Sequence, residues 1–424
     1  MVESSASRFF NIFRIPELRN KILFTLLMIA IYRIGIFISV PGVNMKSLEA
    51  LMGQGTLLNM FDLFAGGGLR SFSIFAMGVI PYINASIIIQ LLTVVIPALE
   101  RLSKEEGEVG RRKLTQYTRY LTVVLAFVEA FGMSTWLRNL GVLEGIGTFY
   151  LLNVSITLTA GSLFLMWIGE IITEYGAGNG VSLIIFSGII ARIPSALLQS
   201  GRLISVGQMN PFFLILFLIV GIGVFVAVIY MQEAQRKIPI QYARRVVGRR
   251  VYGGQSSYLP LRVNQGGVLP IIFASSVLLF PSTLSQFLPN MKRFADILSP
   301  GSLLYISLYA LLIIFFTYFY SSIVFNPDEI AENIKKYGGF IPGIRPGKYT
   351  SEYINEINTR INFIGAIFLA VLAVAPSFLR SSQMSAFTSV FFGTGVLIVV
   401  GVAVETIRQL EAQLIMRHYE GFLK

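Results

Sequence analysis

The stretch GVIPYINASIIIQLL, from Gly78 to Leu92, decides the fold because the chain contains it twice. The later stretch GVLPIIFASSVLLF runs from Gly267 to Phe280. When Pro81 and Pro270 are aligned, the two share Gly, Val, Pro, Ile, Ala and Ser at the same offsets. Each copy predicts an apolar helix that carries a proline. The sequence therefore predicts an internal repeat, with one such helix in each half of the chain.

The composition is that of a membrane protein. Of the 424 residues, 54% are hydrophobic and only 13% are charged, and long uncharged apolar runs are typical of membrane spans. The absence of cysteine excludes disulfides and thiolate metal sites. The single histidine, His418, lies in the polar tail. We therefore expect no metal site, no cofactor and no enzyme activity inside the membrane.

Ten apolar segments have roughly the length that crosses a bilayer. The fifth is the weakest, because Arg192 and Pro194 interrupt it. The predicted spans are Ile22–Val40, Phe72–Ile96, Tyr117–Trp136, Leu151–Ile172, Val181–Leu198, Pro211–Met231, Gly267–Phe287, Leu303–Phe325, Ile361–Leu379 and Phe387–Ile407.

The cationic residues predict the orientation of these spans. The N-terminus, the even-numbered loops and the C-terminal tail hold 24 Lys and Arg, whereas the odd-numbered loops hold 8. By the positive-inside rule, both termini are cytoplasmic. The N-terminal residues mix charge with aromatic side chains, which favours a surface amphipathic helix over a cleavable signal. The two large cytoplasmic loops are Gln232–Gly266 and Asn326–Arg360.

The two copies of the repeated helix are predicted spans 2 and 7, which lie five spans apart. They therefore cross the membrane in opposite directions, as in an inverted repeat of five spans plus five. The predicted fold is an all-α membrane protein with two pseudo-symmetric halves, 1–199 and 200–424. Taken alone, a shared packing motif of small residues explains the duplication equally well.

Five stretches together resemble the SecY family of protein-conducting channels, and the resemblance covers essentially the whole chain. They are GVIPYINASIIIQLL, GEVGRRKLTQYTRY (Gly107–Tyr120), YGAGNGVSLIIF (Tyr175–Phe186), GRRVYGGQSSYLPLRVNQGGVLPIIFASS (Gly248–Ser276) and GGFIPGIRPG (Gly338–Gly347). The resemblance implies a central hourglass pore between the two halves, in a bacterial plasma membrane. It also implies release of membrane segments sideways into lipid.

The resemblance implies partners as well. They are the small subunits SecE and SecG, the motor ATPase SecA, translating ribosomes, secretory preproteins with signal sequences, and membrane lipids. It further implies an aliphatic ring that closes the pore, since water and ions avoid a narrow apolar constriction. The ring residues are Val79, Ile83, Val181, Ile185, Ile272 and Ile398. Spacing alone does not single them out, because any apolar helix supplies aliphatic pairs four residues apart.

A short apolar stretch broken by three glycines precedes predicted span 2. Three consecutive glycines oppose helix formation, at ~1 kcal/mol each relative to alanine, and form a natural hinge. An ordinary loop that dips into the membrane has the same pattern. The resemblance implies a movable plug at 57–68, including Asn59, Met60, Phe61, Asp62, Leu63, Phe64, Ala65, Gly66, Gly67 and Gly68.

Two further sets of residues are candidates for a lateral gate and for docking sites. Polar side chains near spans 2 and 7 would hold a lateral gate shut by hydrogen bonds: Asn84, Gln90, Gln116, Asn264 and Ser276. The cytoplasmic loops would dock the ribosome, through its RNA, or the motor: Arg244, Arg245, Arg249, Arg250 and Arg345. Interleaved Tyr and Val in the first of these loops indicate a projecting hairpin. Attraction to anionic lipid explains the sign of the charge but not its density.

An ion-coupled secondary transporter is the alternative, since such proteins share inverted repeats and broken helices. A transporter needs buried ionisable or carbonyl sites for its substrate and ion. Here the charges within spans are few, and Arg119, Glu129 and Glu170 favour structural pairs. No ladder of acids or histidines marks a proton relay. The glycine-rich stretch Tyr175–Ser182 lacks a preceding strand and predicts a tight turn rather than a nucleotide site.

Overall fold

The structure of the chain is a computed structural model. It describes residues 15–53, 62, 65–104, 106–145, 147–207, 210–242, 245–247, 250–252, 256–275, 277–278, 302–378 and 394–422. Within 245–256 and 415–422 it describes the backbone and not the side chains.

The described part of the first half is helical. Its helices are α1 (Pro16–Gly35), α2 (Met45–Gly53), α3 (Ile80–Val95), α4 (Pro97–Lys104), α5 (Gly107–Asn139), α6 (Thr148–Tyr175), α7 (Gly180–Ile190) and α8 (Ile193–Ser205). In the second half, the helices are α9 (Pro211–Glu233), α10 (described over 269–275 and 277–278), α11 (Leu303–Val324), α12 (Pro327–Lys336), α13 (Lys348–Phe378) and α14 (Thr394–Phe422). The second half also holds the strands β1 (Gln235–Tyr242), β2 (Arg245–Val247), β3 (Arg250–Tyr252), β4 (Ser256–Arg262) and β5 (Gly339–Phe340).

Six stretches of the described residues are helical, long and apolar enough to cross a membrane. Helices α3 and α4 add a seventh if this pair, bent by 102°, counts as one span. The bend follows α3, where Pro97 begins the new helix α4. Helix α1 is not among the six, and its last 18 residues carry three cations. Predicted spans 7 and 10 lie partly outside the described residues, so the count of ten stays a prediction.

Predicted span 5 breaks where its charged residue and proline stand. Helix α7 ends at Ile190, and α8 begins at Ile193 with Pro194 in its first turn. The tight turn predicted before this span is confirmed, because α6 ends at Tyr175 and α7 begins at Gly180. The Asn179 side chain caps α7 by accepting a hydrogen bond from the backbone N–H of Ser182, at 3.1 Å.

The chain is mostly helical, but the prediction of an all-α protein is wrong for the two large loops, 232–266 and 326–360. Strand β1 pairs antiparallel with β4 from Gln235 opposite Arg262 onward, which confirms the predicted hairpin. The other edge of β1 pairs with β5 of the second large loop. Alternation of polar and apolar residues in QRKIPIQY suits a half-buried strand. Ile238 and Ile240 accordingly pack with Ile334 and Ile354 of α12 and α13, so both loops form one body.

Helix α6 packs against the segment before α3 through a glycine. A Cβ atom added to Gly161 would lie 1.8 Å from the backbone oxygen of Ile74, a contact that no side chain tolerates. Gly161 is buried, so the neighbouring backbone has no free space into which to move. Gly223 of α9 is an exposed helical glycine with no atom within 4 Å of such a Cβ.

We predict that Gly161→Ala lowers the free energy of unfolding by about 1–3 kcal/mol, the usual cost of overpacking a core. Gly223→Ala should leave stability unchanged or raise it slightly, because alanine is the better helix former. Intrinsic Trp136 and Trp167 fluorescence of the purified proteins during thermal unfolding in detergent measures both. Equal unfolding midpoints for the two variants would contradict the packing described above.

Candidate functional site

All six predicted ring residues lie in one hydrophobic cluster, which we call the aliphatic cluster. Val79, Ile185 and Ile398 are buried in it, and the other three are half-buried and pack against it: Ile83, Val181 and Ile272. The members come from the start of α3, from α7, from α10 and from α14, so both halves of the chain contribute. Tyr32 and Ile36, from the end of α1, belong to the same cluster.

The two repeated helices enter this cluster with the same local geometry. Gly78 and Gly267 have φ angles of +57° and +58°, in the left-handed region that glycine adopts at little cost. Ile83 N–H then donates to the Val79 carbonyl at 3.0 Å, and Ile272 N–H donates to the carbonyl four residues before it at 3.2 Å. The repeat in the sequence is therefore a repeat in backbone conformation, and each copy delivers one isoleucine to the cluster.

Part of the predicted plug lies directly against the aliphatic cluster. Asp62 and Ala65 to Gly68 are described, whereas Asn59, Met60, Phe61, Leu63 and Phe64 lie outside the described residues. We call residues 65–70 the glycine strap. The Tyr32 hydroxyl donates to the Ala65 carbonyl at 3.3 Å, and Arg33 Nη1 donates to the Gly66 carbonyl at 3.0 Å.

The strap also touches α7 through two glycines. A Cβ atom on Gly188 would lie 2.4 Å from the Cα of Gly66, so neither position has room for a side chain. Gly188 stands between Ile185 and Ile189, which are both buried in the aliphatic cluster. Contacts from α1 and α7 thus hold the strap beside the aliphatic cluster.

The carboxylate of Asp62 anchors the strap and is fully buried. Its Oδ1 accepts hydrogen bonds from the backbone N–H groups of Leu69 and Arg70, both at 3.1 Å. Its Oδ2 pairs with Arg192 Nη2 and lies 3.3 Å from Arg70 Nε. The sequence analysis placed Asp62 in the plug but missed its partner. An acidic residue in an apolar stretch and an arginine within a span each carry a free-energy cost when they are unpaired. This cost was the feature of the sequence from which the pairing could have been inferred.

Two of the predicted gate residues make contacts inside the first half of the chain. Asn84 Nδ2 donates to Glu129 Oε1 at 2.9 Å, and Gln116 Nε2 donates to the Tyr120 hydroxyl at 3.3 Å. Glu129 and Tyr120 both belong to α5, whereas the sequence analysis expected partners on span 7. Asn84 meets Glu129 because α5 packs beside α3, whereas Gln116 lies on α5 itself and bonds to a residue four positions along the same helix. A role for Asn84 and Gln116 in holding a gate stays a prediction.

The other three gate predictions have different outcomes. The Gln90 side chain on α3 interacts with the Tyr320 hydroxyl on α11, and this contact joins the two halves of the chain. Asn264 is buried, and its Oδ1 has no hydrogen-bond partner within the part of the chain that is described. Ser276 lies outside the described residues. Tyr320 is a residue that sequence reasoning missed.

Of the predicted docking arginines, Arg345 lies on the body formed by the two large loops. Arg345 is exposed in a turn between Gly343 and Gly347, which have φ angles of +82° and +99°. It lines an open groove of about 570 Å³ with Tyr349 and Glu352. Four further arginines were predicted. Arg245 and Arg250 lie on the paired strands β2 and β3, where only the backbone is described, and Arg244 and Arg249 lie outside the described residues.

A weak electrostatic attraction also acts between the two halves, at α4 and α12. Lys104 of α4 pairs with Glu100, at 2.8 Å. Glu100 raises the pKa of Lys104 through this hydrogen bond and through its charge, and Glu329 of α12 adds a smaller contribution of the same sign. Since α4 belongs to the first half and α12 to the second, their charges complement each other. Exposed pairs of this kind contribute little stability.

A buried polar network, which sequence reasoning also missed, ties the start of α10 to α11 and α13. Ser321 donates to Gln265 Oε1 at 3.0 Å and accepts from Asn358 Nδ2 at 3.2 Å. Gln265 Nε2 donates to Asn358 Oδ1, and Asn362 Nδ2 also donates to Ser321. Asn358 and Asn362 are four residues apart and so share one helix face. This spacing was the feature of the sequence that could have indicated the network. Structural pairs were favoured for Arg119 and Glu170, and the two residues pair with each other, at 2.8 Å between α5 and α6.

Comparison with known proteins gives a consistent result at the level of sequence. The SecY family model matches residues 73–407. The protein translocase subunit SecY of Aquifex aeolicus is 46% identical over 423 residues, which cover 97% of this chain and 98% of the relative. That of Halalkalibacterium halodurans is 47% identical over 429 residues, with 98% and 99% covered.

Solved structures agree in fold. One is described as the structure of a protein conducting channel, with a TM-score of 0.66 and 19% identity over 94% of this chain and 93% of that one. Another is Sec61 in the canine ribosome-channel complex from the endoplasmic reticulum, with a TM-score of 0.63, 17% identity and the same shares covered. The sequence, the helices and the glycine–proline motif that begins both repeated helices agree with these comparisons. The chain belongs to the SecY family.

Proposed function

We propose that this chain is the central, pore-forming subunit of a protein translocation channel. It passes unfolded secretory polypeptides across the membrane and releases hydrophobic segments sideways into lipid. One observation carries this function: six aliphatic side chains, drawn from both halves of the chain, gather in one cluster against which the glycine strap is held. The relatives reported above are named as protein translocase subunits, and an ion-coupled transporter is not favoured.

The aliphatic cluster seals by excluding water. Val and Ile side chains offer no hydrogen bonds, so a narrow ring of them empties of water and blocks ions and protons. The same ring yields to a passing polypeptide because its members are held only by packing, without directional bonds. Such a constriction accepts almost any side chain and closes again when the polypeptide has left.

The proposed architecture has ten spans in two inverted halves, 1–199 and 200–424, around an hourglass pore. The matching φ angles of Gly78 and Gly267 support the pseudo-symmetry. The excess of cationic residues in the even-numbered loops supports cytoplasmic termini. A bacterial plasma membrane is the proposed location, because the relatives reported above are bacterial.

The energy for transport is proposed to come from partners, namely the motor ATPase SecA or a translating ribosome. The small subunits SecE and SecG would complete the channel, and the chain itself would be neither an enzyme nor the holder of a cofactor. The basic hairpin of β1 and β4 and the exposed Arg345 turn support docking on the cytoplasmic face. Ribosomal RNA and acidic protein surfaces carry the negative charge that these basic residues would bind. Signal sequences and membrane lipids would meet the chain at the gate between α3 and α10.

Replacing Ile398 with asparagine should make the channel leak. An amide in the ring gives water a partner, so the wet, open state gains stability relative to the closed one. A shift of ~1.4 kcal/mol raises a small open fraction about tenfold. Single-channel recording in planar bilayers measures this fraction. Ile407→Asn, on an exposed face of the same helix, is the control and should not leak. Equal conductance of Ile398→Asn and wild type would remove Ile398 from the ring.

Loss of the Tyr320 hydroxyl should loosen the gate. A polar contact between spans is worth ~0.6 kcal/mol on average, so loss of the contact with Gln90 in Tyr320→Phe should raise gate opening two- to threefold. Export of a preprotein with a weakened signal sequence reports this change. Tyr318→Phe is the matched control, because the Tyr318 hydroxyl bonds to the Thr359 carbonyl within the second half. The same export from both variants would show that the bond does not hold the gate.

Reversal of charge at Arg345 should stop motor-driven export and leave the fold intact. Arg345 is exposed, and its side chain makes no ion pair within the described residues, so docking is the function that Arg345→Glu should disturb. ATP-driven export into membrane vesicles measures the loss. Lys336→Glu makes the same charge change on an exposed face of α12 and should retain most activity. Normal export by Arg345→Glu would refute the docking role.

A further inference from the structure

One acidic and three basic side chains surround the glycine strap. Asp62 stands before it, Arg70 ends it, and Arg33 and Arg192 reach it from α1 and from the junction of α7 and α8. Asp62 is the only negatively charged member of this group. Every ion pair at the strap in the described residues therefore includes its carboxylate.

The two ion pairs of Asp62 differ in burial. The Asp62 side chain is 0% exposed, and that of Arg192 is 16% exposed, whereas Arg70 is 60% exposed. Exposed pairs contribute little, because water competes for both partners. Separating a buried pair is strongly unfavourable, since each charge is left without water or partner. The pair of Asp62 and Arg192 therefore dominates the electrostatic hold on the strap.

We propose that Asp62 and Arg192 form a charge latch that keeps the glycine strap against the aliphatic cluster. This inference rests on the proposed channel function and names positioning residues within it. Arg192 follows α7, which carries Val181, Ile185 and the glycine that the strap touches. A polypeptide that parts α7 from α3 must also carry Arg192 away from Asp62, so the ring and the latch open together.

The latch also responds to water. In a dry, closed pore the separated charges have no solvation, and the pair stays joined. Once the ring admits water, both charges are hydrated and the cost of separating them falls steeply. Wetting of the ring and release of the strap thus favour each other. The two remaining anchors, from Tyr32 and Arg33, end on backbone carbonyls, which water replaces readily.

The test is single-channel recording of the purified channel, with the small subunits that co-purify, in the absence of any preprotein. Arg192→Gln and Asp62→Asn each remove one charge, and Asp62→Asn keeps an oxygen for the N–H groups of Leu69 and Arg70. We expect each to raise the open probability about tenfold or more. The double variant should open no more than the stronger single variant, because the two residues act as one unit.

Arg202→Gln is the matched control, since it makes the same change at an exposed arginine of α8, and its open probability should equal that of wild type. Independent, multiplying effects of the two latch variants would overturn the latch. If Arg192→Gln does not accumulate, Asp62→Asn alone decides, and a wild-type open probability then overturns the proposal.

The Ile398→Asn channel, recorded in parallel, separates this inference from the function on which it rests. Conduction by Ile398→Asn with silent latch variants overturns the latch and leaves the channel function standing. If Ile398→Asn, the latch variants and a substrate-driven wild type all fail to conduct, the channel function itself fails. Adding Asp62→Asn to Ile398→Asn should raise the open probability by less than it does in wild type, because a wet ring has already weakened the latch.

Discussion

The middle of a membrane supplies no water, so every polar group placed there needs a partner from the chain itself. Many serine and threonine side chains in the spans bond to a carbonyl of their own helix, but several amide and hydroxyl groups find a partner on another one. Asn84 of α3 bonds to Glu129 of α5, and Ser321 of α11 bonds to both asparagines of α13. Each of these contacts fixes the position of a second helix. The contacts between these few polar residues therefore help to set the arrangement of the spans.

The aliphatic cluster uses the opposite chemistry at the centre of the molecule. Its members lack hydrogen-bonding groups, so nothing directional holds them together and nothing attracts water between them. Polar contacts around the cluster then set how firmly it stays closed. Some of these are weak, such as Gln90 with Tyr320, and one is a buried ion pair. In the proposed channel the seal comes from packing of the ring residues and the latch from one pair of charges, and the two are coupled although they lie on different residues.

The sequence predicted what depends on local pattern, and it failed where distant residues meet. Gly78 and Gly267 repeat in sequence and in φ because the preference for a left-handed turn is local. The hairpin of β1 and β4 was also predictable from its alternation. The pairing of β1 with β5 was not, because the strands come from different loops. Asp62 and Arg192 stand 130 positions apart, and no spacing rule relates them. The six ring residues came from family resemblance, which carries such long-range information.

The two repeated helices begin with the same backbone geometry, but different contacts hold the segments before them. The two halves of the chain therefore have different roles in the proposed channel. The glycine strap lies upstream of α3 and is held by the two ion pairs of Asp62 and by hydrogen bonds to backbone groups. The segment before α10 is held by Gln265 in a network with α11 and α13. Helix α13 also packs on the sheet of β1, β4 and β5 and runs unbroken from Lys348 to Phe378. In the proposed channel, a partner that pushes on this sheet therefore acts through α13 on the segment before α10, whereas the strap belongs to the other half and is held by its own contacts.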